Sequence, residues 1–247
     1  MLSATVSASN DSKDCAGCNE MNRLAHRIGH DLRAPLRAMA MLPEWIAEEF
    51  EDAQTDIPPR AHKFLDLISS KAAQMEGQLA GLLEYALLGE ATATVCSVDI
   101  SSELTNIAQK YLDDGAYEIE VAPDVSTLMV AREDFQALFS HLISNAVLHN
   151  DQPDPHVRVT AHLDGSMAIF RVEDNGPGIK EDDHQRIFEP FEILVARDSA
   201  KGCGLGLAVV QKIADRWKGR ITVRSELGQG ACFEFQFPVE ECDPAPQ

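Results

Sequence analysis

Two stretches of this sequence carry the same apolar rhythm, and that rhythm restricts the fold more than any other feature. Apolar or small residues stand at Leu24, Ile28, Leu32, Pro35, Met39, Leu42 and Ile46, in steps of 4, 4, 3, 4, 3 and 4. The series Phe64, Ile68, Ala72, Met75, Leu79, Leu82 and Ala86 repeats those steps. Such spacing keeps a stripe on one side of an α-helix and lets two helices lie together at a shallow angle. Between the two stripes, Asp56, Pro58 and Pro59 interrupt helix over residues 52–59. Residues 20–90 therefore predict a helical hairpin, with arms of roughly 30 residues and about 45 Å each. One hairpin encloses too little core to stand alone. Two copies solve this as a four-helix bundle, so a homodimer is expected.

The first helix carries the segment HRIGHDLRAPLRAM. His30 is two positions from both Ile28 and Leu32, which turns it about 200° away from the stripe and towards solvent. Asp31 follows it directly. A carboxylate beside an imidazole holds one ring nitrogen protonated and leaves the other free to attack. Pro35, five residues on, removes a backbone hydrogen bond and lets the helix bend. Taken alone, a His-Asp pair is more often a solvated chance neighbour than a reactive site.

The pattern changes after residue 97. Residues 89–97 are small and polar and read as a linker. Beyond it, β-branched runs occur at 118–121, 128–130, 157–162, 168–172, 221–224 and 233–237, with helical periodicity over 101–112, 132–149 and 205–217. This predicts an α/β sandwich over 98–240, with helices on one face of a mixed sheet. Residues 1–19, rich in Ser, Asn, Asp and Ala, read as a flexible tail, and 241–247 as a second tail.

Charge narrows the function classes. Among 247 residues, 21 are Lys or Arg and 40 are Asp or Glu, a formal net charge of −19. Nucleic-acid phosphates and anionic membrane surfaces both demand clustered Lys and Arg, so neither is an expected partner. No stretch approaches the ~20 apolar residues of a spanning helix, which argues against membrane insertion. The N-terminus has no basic start and apolar core of a secretory signal, and six cysteines then read as reduced thiols in a cytoplasmic setting. Cys15 and Cys18, followed by His26 and His30, could in principle bind zinc or form a redox pair, but the spacing and the lack of a finger core favour plain tail cysteines.

Three glycine clusters carry the chemistry of the second half. Asp174-Asn175-Gly176-Pro177-Gly178 follows a predicted strand; Gly202-Cys203-Gly204-Leu205-Gly206 opens a predicted helix; Gly228-Gln229-Gly230 precedes the last strand. Glycines at a helix start let backbone N–H groups approach a phosphate, and the helix dipole favours its charge. Asp174 at a strand end can accept a hydrogen bond from an exocyclic amine such as that of adenine. Asn145 offers an amide oxygen suited to Mg²⁺, which retains water and phosphate oxygens in its shell. Gly228–Gly230 alone reads as a hairpin turn. The spacing lacks the Gly-Lys-Ser/Thr ending of a P-loop.

The order HDLRAPL, SNA, DNGPGI, IFEPF, GCGLGL, GQGACFEF resembles the transmitter module of sensor histidine kinases, over residues 20–240. The first motif is most similar to the phytochrome-like subgroup. The resemblance implies a HisKA-type dimerisation and phosphotransfer hairpin, followed by a Bergerat-type ATP-binding sandwich of the gyrase, Hsp90 and MutL superfamily. It implies that His30 accepts the phosphoryl group and Asp31 acts as its base. Asn145 then matches the Mg²⁺-binding asparagine and Asp174 the adenine-reading aspartate, with Gly176 and Gly178 shaping the pocket floor. Phe188 and Phe191 match the phenylalanine box at the base of a lid over 192–201. Gly202, Gly204 and Gly206 match the phosphate-side glycines, with Lys201 and Leu205 beside them. The implied activity is that of a protein-histidine kinase using ATP and Mg²⁺. Its partners would be a second copy of the chain, a response-regulator receiver domain, and a separate sensor protein if the input is not carried on the same chain.

Three features depart from the family pattern. His141 stands where the family often has Asn, and Leu148 where it has Lys or Arg, which removes a phosphate donor; Arg197, Lys201 and His149 are the nearest basic substitutes. Ala34 replaces the Thr or Asn that orients water in phosphatase-active members, so weak phosphatase activity is expected. Third, no sensor domain is recognisable before the module. The alternative reading is a dimeric histidine phosphotransferase with a degenerate ATP-binding domain.

Overall fold

A computed structural model describes residues 11–88, 94–112, 118–194 and 203–239; the side chains of 11–26, 28 and 30 lie outside the described set. The chain divides into two units, Met1–Ala91 and Thr92–Gln247.

The first unit is a pair of helices, α1 (Asp11–Asp52) and α2 (Pro59–Leu87). Helix α1 starts at Asp11, so residues 11–19 are helical in backbone rather than the expected tail. No proline interrupts α1 before Pro35, and it runs on through Pro35 and Pro43. Helix α2 begins with proline at its first position, where the missing N–H costs nothing.

On α1 the seam lies one residue round from the expected stripe, whereas on α2 it keeps Ala72 and Leu79 of the expected stripe and adds Leu83. Leu36, Leu79 and Leu83 form its buried cluster, joined by Gly29, Pro43 and Ala72. The Leu83 side chain packs directly over Gly29, where a methyl group would stand 2.3 Å from Leu83 Cδ1. Among the described side chains of the expected stripes, only Ala72 and Leu79 are buried. Leu32, Met39, Leu42, Ile46, Phe64, Ile68, Met75 and Leu82 are exposed within one chain.

The second unit runs β1 (Val95–Asp99), α3 (Ile100–Gln109), β2 (Glu118–Pro123), β3 (Thr127–Ala131), α4 (Arg132–Leu148), β4 (His156–Asp164), β5 (Met167–Asp174), α5 (Gly206–Arg216), β6 (Arg220–Ser225) and β7 (Ala231–Pro238). Strand β1 falls partly in the expected linker; it pairs antiparallel with β3 as a separate two-stranded sheet. The main sheet has the order β2-β4-β5-β7-β6, parallel at β2–β4 and antiparallel elsewhere. A mixed sheet was expected, and the six predicted strands and three predicted helices are all present.

Alternation positions the core. Ala168, Phe170 and Val172 of β5 and Phe233, Phe235 and Phe237 of β7 are buried on the helix-covered face. Phe170 meets Phe139 of α4 at 5.0 Å between ring centroids, and Phe139 meets Phe135 at 4.5 Å. Burying three such rings contributes several kcal/mol, since a core Phe truncated to Ala costs about 3–5 kcal/mol. Helix α3 is capped by Asp99, whose Oδ1 accepts from Ser102 N–H at 2.7 Å. This core fixes the ends of β5 and β7 and the start of α5, where the candidate site lies.

Candidate nucleotide site

Asp174 ends β5 on the same side as Ala168, Phe170 and Val172, by period-2 alternation. Its Oδ1 accepts two backbone N–H groups, from Gly176 at 2.9 Å and Ala231 at 3.3 Å. Burial pushes its pKa above the ordinary carboxylate value, and those two donors pull it back part of the way. Among the described residues no donor reaches Oδ2, which leaves that oxygen for a ligand.

The loop after Asp174 is locked against the turn between β6 and β7. Gly178 has φ +74°, and a methyl group on it would lie 2.0 Å from the Glu226 carbonyl oxygen. Gly230 has φ +77°, and its methyl would lie 1.9 Å from the Asp174 carbonyl oxygen. Only glycine tolerates both the backbone angle and the approach. Gly228 N–H donates to Pro177 O at 2.7 Å. Gly228-Gln229-Gly230 is therefore a turn, as read from sequence, and also one wall of the Asp174 loop. Ser225 joins the same junction. It accepts from Ile179 N–H at 2.8 Å and donates to Gly230 O at 2.6 Å. Sequence reasoning missed Ser225 and Ala231, because their partners lie 46 and 57 positions away.

On the α4 side, Asn145 is half-buried in the last turns of that helix. Asn175 fixes the segment that follows. Its Oδ1 accepts from Asn150 Nδ2 and His156 N–H, both at 2.8 Å, and its Nδ2 donates to Asp154 O at 2.9 Å. His141 faces the second glycine cluster, since a methyl on Gly206 would lie 3.0 Å from its Nδ1. Leu148, at the basic position of the family pattern, is 41% exposed.

The second cluster opens α5. Gly204 has φ +69°, and its carbonyl accepts from Phe191 N–H at 2.7 Å. Phe191 itself holds φ +65°. Phe188 packs edge-on to Phe233 at 6.4 Å between centroids. The segment's start is further held by Arg186, which pairs with Asp183 and Glu192. Leu205, between Gly204 and Gly206, is fully buried. Lys201, Gly202, Arg197 and residues 195–201 of the lid lie outside the described residues. The His30 side chain does as well, together with those of Cys15, Cys18 and His26; Asp31 is exposed on α1.

An open groove of about 1050 Å³ runs beside the Asp174 loop, lined by Lys180, His184, Arg224, Glu226 and Cys232 as well as Asp174. Its lining includes neither Asn145 nor Gly204 and Gly206. Cys232 and its ladder partner Glu173 alternate with buried residues, which puts them on the open face of the sheet. The nucleotide-site candidates belong to the helix-covered side.

The profile of the histidine kinase-, DNA gyrase B-, and HSP90-like ATPases matches residues 131–241, which span Asn145 and all three glycine clusters. Cyanobacterial phytochrome A of Nostoc is 30% identical over 224 residues, covering 89% of this chain and 29% of the relative. These matches identify the chain as a histidine kinase transmitter module. The alginate biosynthesis sensor protein KinB of Pseudomonas aeruginosa is 28% identical, covering 86% of this chain and 36% of its own length. The chain thus spans about a third of the length of these two relatives. The solved structure of full-length ShkA in complex with AMPPNP superposes with a TM-score of 0.67 at 26% identity, covering 90% of this chain and 46% of that one. Histidine kinase ThkA in complex with response regulator protein TrrA shares the fold, with a TM-score of 0.63 at 16% identity, over 96% of this chain and 69% of that one.

Proposed function

We propose that this transmitter module is an ATP-dependent protein-histidine kinase that phosphorylates His30 and passes the phosphoryl group to an aspartate of a response-regulator receiver domain. The observation that carries this reading is the Asp174 carboxylate. One of its oxygens is pinned by two backbone N–H groups and, among the described residues, no donor reaches the other; in the same unit α5 opens on Gly206. That combination suits a base with an exocyclic amine joined to a phosphate chain.

In this reading the adenine amine donates to Asp174, and the backbone around Gly204 and Gly206 approaches the phosphates, aided by the α5 dipole. Among the described residues no three His, Cys, Asp or Glu side chains converge. A lone amide oxygen from Asn145 fits Mg²⁺, which takes its other ligands from phosphate and water. When bound, Mg²⁺ would neutralise charge on the phosphates. Asp31 holds one imidazole nitrogen of His30 protonated and leaves the other with a free lone pair. The attacking nitrogen forms the N–P bond as the bridging P–O bond breaks and ADP leaves, and Asp31 takes the ring proton. A receiver-domain aspartate then accepts the phosphoryl group.

The homodimer belongs to the same proposal. Leu32, Met39, Leu42 and Ile46 on α1, with Phe64, Ile68, Met75 and Leu82 on α2, repeat the heptad stripes yet stay exposed in one chain. A second copy would cover them as a four-helix bundle. A cytoplasmic setting accords with this, and no described helix is long and apolar enough to cross a membrane.

The second reading is a phosphotransferase whose ATP domain no longer turns over. The exposed Leu148, which offers no charge to a phosphate, favours it. Incubation with γ-labelled ATP separates the two. The kinase yields acid-labile, alkali-stable label that disappears in His30→Ala. The phosphotransferase takes no label from ATP but accepts it from a phosphorylated receiver domain. A label that is acid-stable overturns both.

A further inference from the structure

The geometry points to Ser225 as a positioning residue that aims the Ala231 peptide at the Asp174 carboxylate and thereby sets the preference of the site for adenine over 6-oxo purines. This inference rests on the nucleotide-binding reading above.

Ser225 is the last residue of β6 and is half-buried. Its hydroxyl has one proton, given to the Gly230 carbonyl at 2.6 Å, and a lone pair that accepts Ile179 N–H at 2.8 Å. The Gly230 carbonyl and the Ala231 N–H are the two ends of one planar peptide unit. Fixing the carbonyl therefore fixes the N–H, and that N–H reaches Asp174 Oδ1 at 3.3 Å. No side chain on residue 230 can do this, because a Cβ there would stand 1.9 Å from the Asp174 carbonyl oxygen. Among the described side chains, Ser225 alone bonds to the carbonyl end of that peptide, and Asp174 receives its N–H.

The consequence reaches the ligand. With Oδ1 held by Ala231 and Gly176, the carboxylate plane is fixed and Oδ2 presents an acceptor in one direction. Adenine offers an amine donor there. Inosine offers an oxo acceptor, which a carboxylate repels. Losing the Ser225 hydroxyl frees the peptide to rotate, and the carboxylate follows. The second bond of Ser225, to Ile179, holds the far end of the same loop, so both sides of the Asp174 turn relax together.

Calorimetric titration of the full chain with Mg-ATP and Mg-ITP tests this. The unsubstituted chain is expected to bind ATP at least about ten-fold more tightly than ITP, the scale of one charge-assisted hydrogen bond. In Ser225→Ala the ATP affinity falls about ten-fold, ITP affinity stays, and the ratio approaches one; Ser225→Thr restores it. A merely structural role lowers both affinities together and leaves the ratio unchanged, which overturns the inference. Should Ser225→Ala fail to fold, Ser225→Cys fills the same space with a weak hydrogen bonder and carries the same two outcomes. An unsubstituted chain that binds neither nucleotide overturns the nucleotide-binding reading itself. One that discriminates, in company with a Ser225→Ala that discriminates equally, overturns only the role of Ser225.

Discussion

Trp217 gives its indole N–H to the buried carboxylate of Asp134 at 3.0 Å, tying the C-terminal end of α5 to the first turn of α4 across 83 positions of sequence. Arg216 approaches the other oxygen at 3.4 Å, and the indole ring packs on Phe237 at 4.8 Å between centroids. Asp134→Ala removes the acceptor of a half-buried indole N–H and one ion pair of Arg216 together. It should cost about 2–4 kcal/mol. Trp217→Phe keeps most of the apolar contact and should cost less, about 1–2 kcal/mol. Because the two residues share one bond, urea midpoints of the double variant should show a loss smaller than the sum. Strict additivity would mean that the bond contributes nothing.

The glycines divide by what a side chain would meet. Gly178→Ala and Gly230→Ala place Cβ within 2.0 Å of backbone oxygens at positive φ. Each should cost more than about 2 kcal/mol and abolish ATP binding. Gly77, inside α2, has nothing within 4 Å, so Gly77→Ala should stabilise by up to about 1 kcal/mol. Thermal unfolding of the three variants gives the comparison, and a destabilised Gly77→Ala would contradict it.

Asp174 makes pH dependence run opposite to a salt-bridged carboxylate. Burial raises its folded pKa above 3.8, so the folded state binds the proton more tightly than the unfolded chain. Its cost is absent below 3.8 and complete above the raised folded value, so stability from this group falls as pH rises through that interval. Asp174→Asn should remove the cost at neutral pH and leave the apparent Tm unchanged or higher, while ATP affinity drops at least about ten-fold. Differential scanning calorimetry from pH 4 to pH 7 with nucleotide titration reads both; a lower Tm at pH 7 goes against the assignment.

Cys232 is the slow thiol. Burial and then the Glu173 carboxylate push its pKa up to about 11. At pH 8 its thiolate fraction is small, and alkylation should run roughly ten- to a hundred-fold slower than that of a free thiol. Mass-spectrometric timing of iodoacetamide labelling measures this directly. Labelling of Cys232 at the free-thiol rate would show that the site is open and its charge environment different.

The exposed stripes give a test of assembly. Met39→Glu with Met75→Glu adds charge to both helices at exposed positions, so the hairpin within one chain should keep its helicity. Sedimentation equilibrium should then report a shift from dimer to monomer, with circular dichroism little changed. A monomeric unsubstituted chain rules the bundle out.

Much of this protein was legible in the sequence because the signals are local. Heptad steps call for helices, and alternation in 168–172 and 233–237 calls for strands. Glycine clusters mark places where the backbone must turn or be approached. These depend on periodicity and on the absence of Cβ, which neighbouring residues settle among themselves. Strand β1 escaped notice because five residues with one buried side chain carry no clear period.

The tertiary structure decided what local periodicity cannot. It chose the helix face that meets its partner within the chain: Leu36 and Pro43 rather than Pro35 and Leu42, since a 100° step round a helix exchanges one apolar row for the next. It turned Gly228–Gly230 from a plain hairpin into a wall of the Asp174 loop, and it gave Ser225 and Ala231 their partners. Those bonds join residues 46 and 57 positions apart, and no sequence window spans them; the register of β5 against β7 and β6 brings them together.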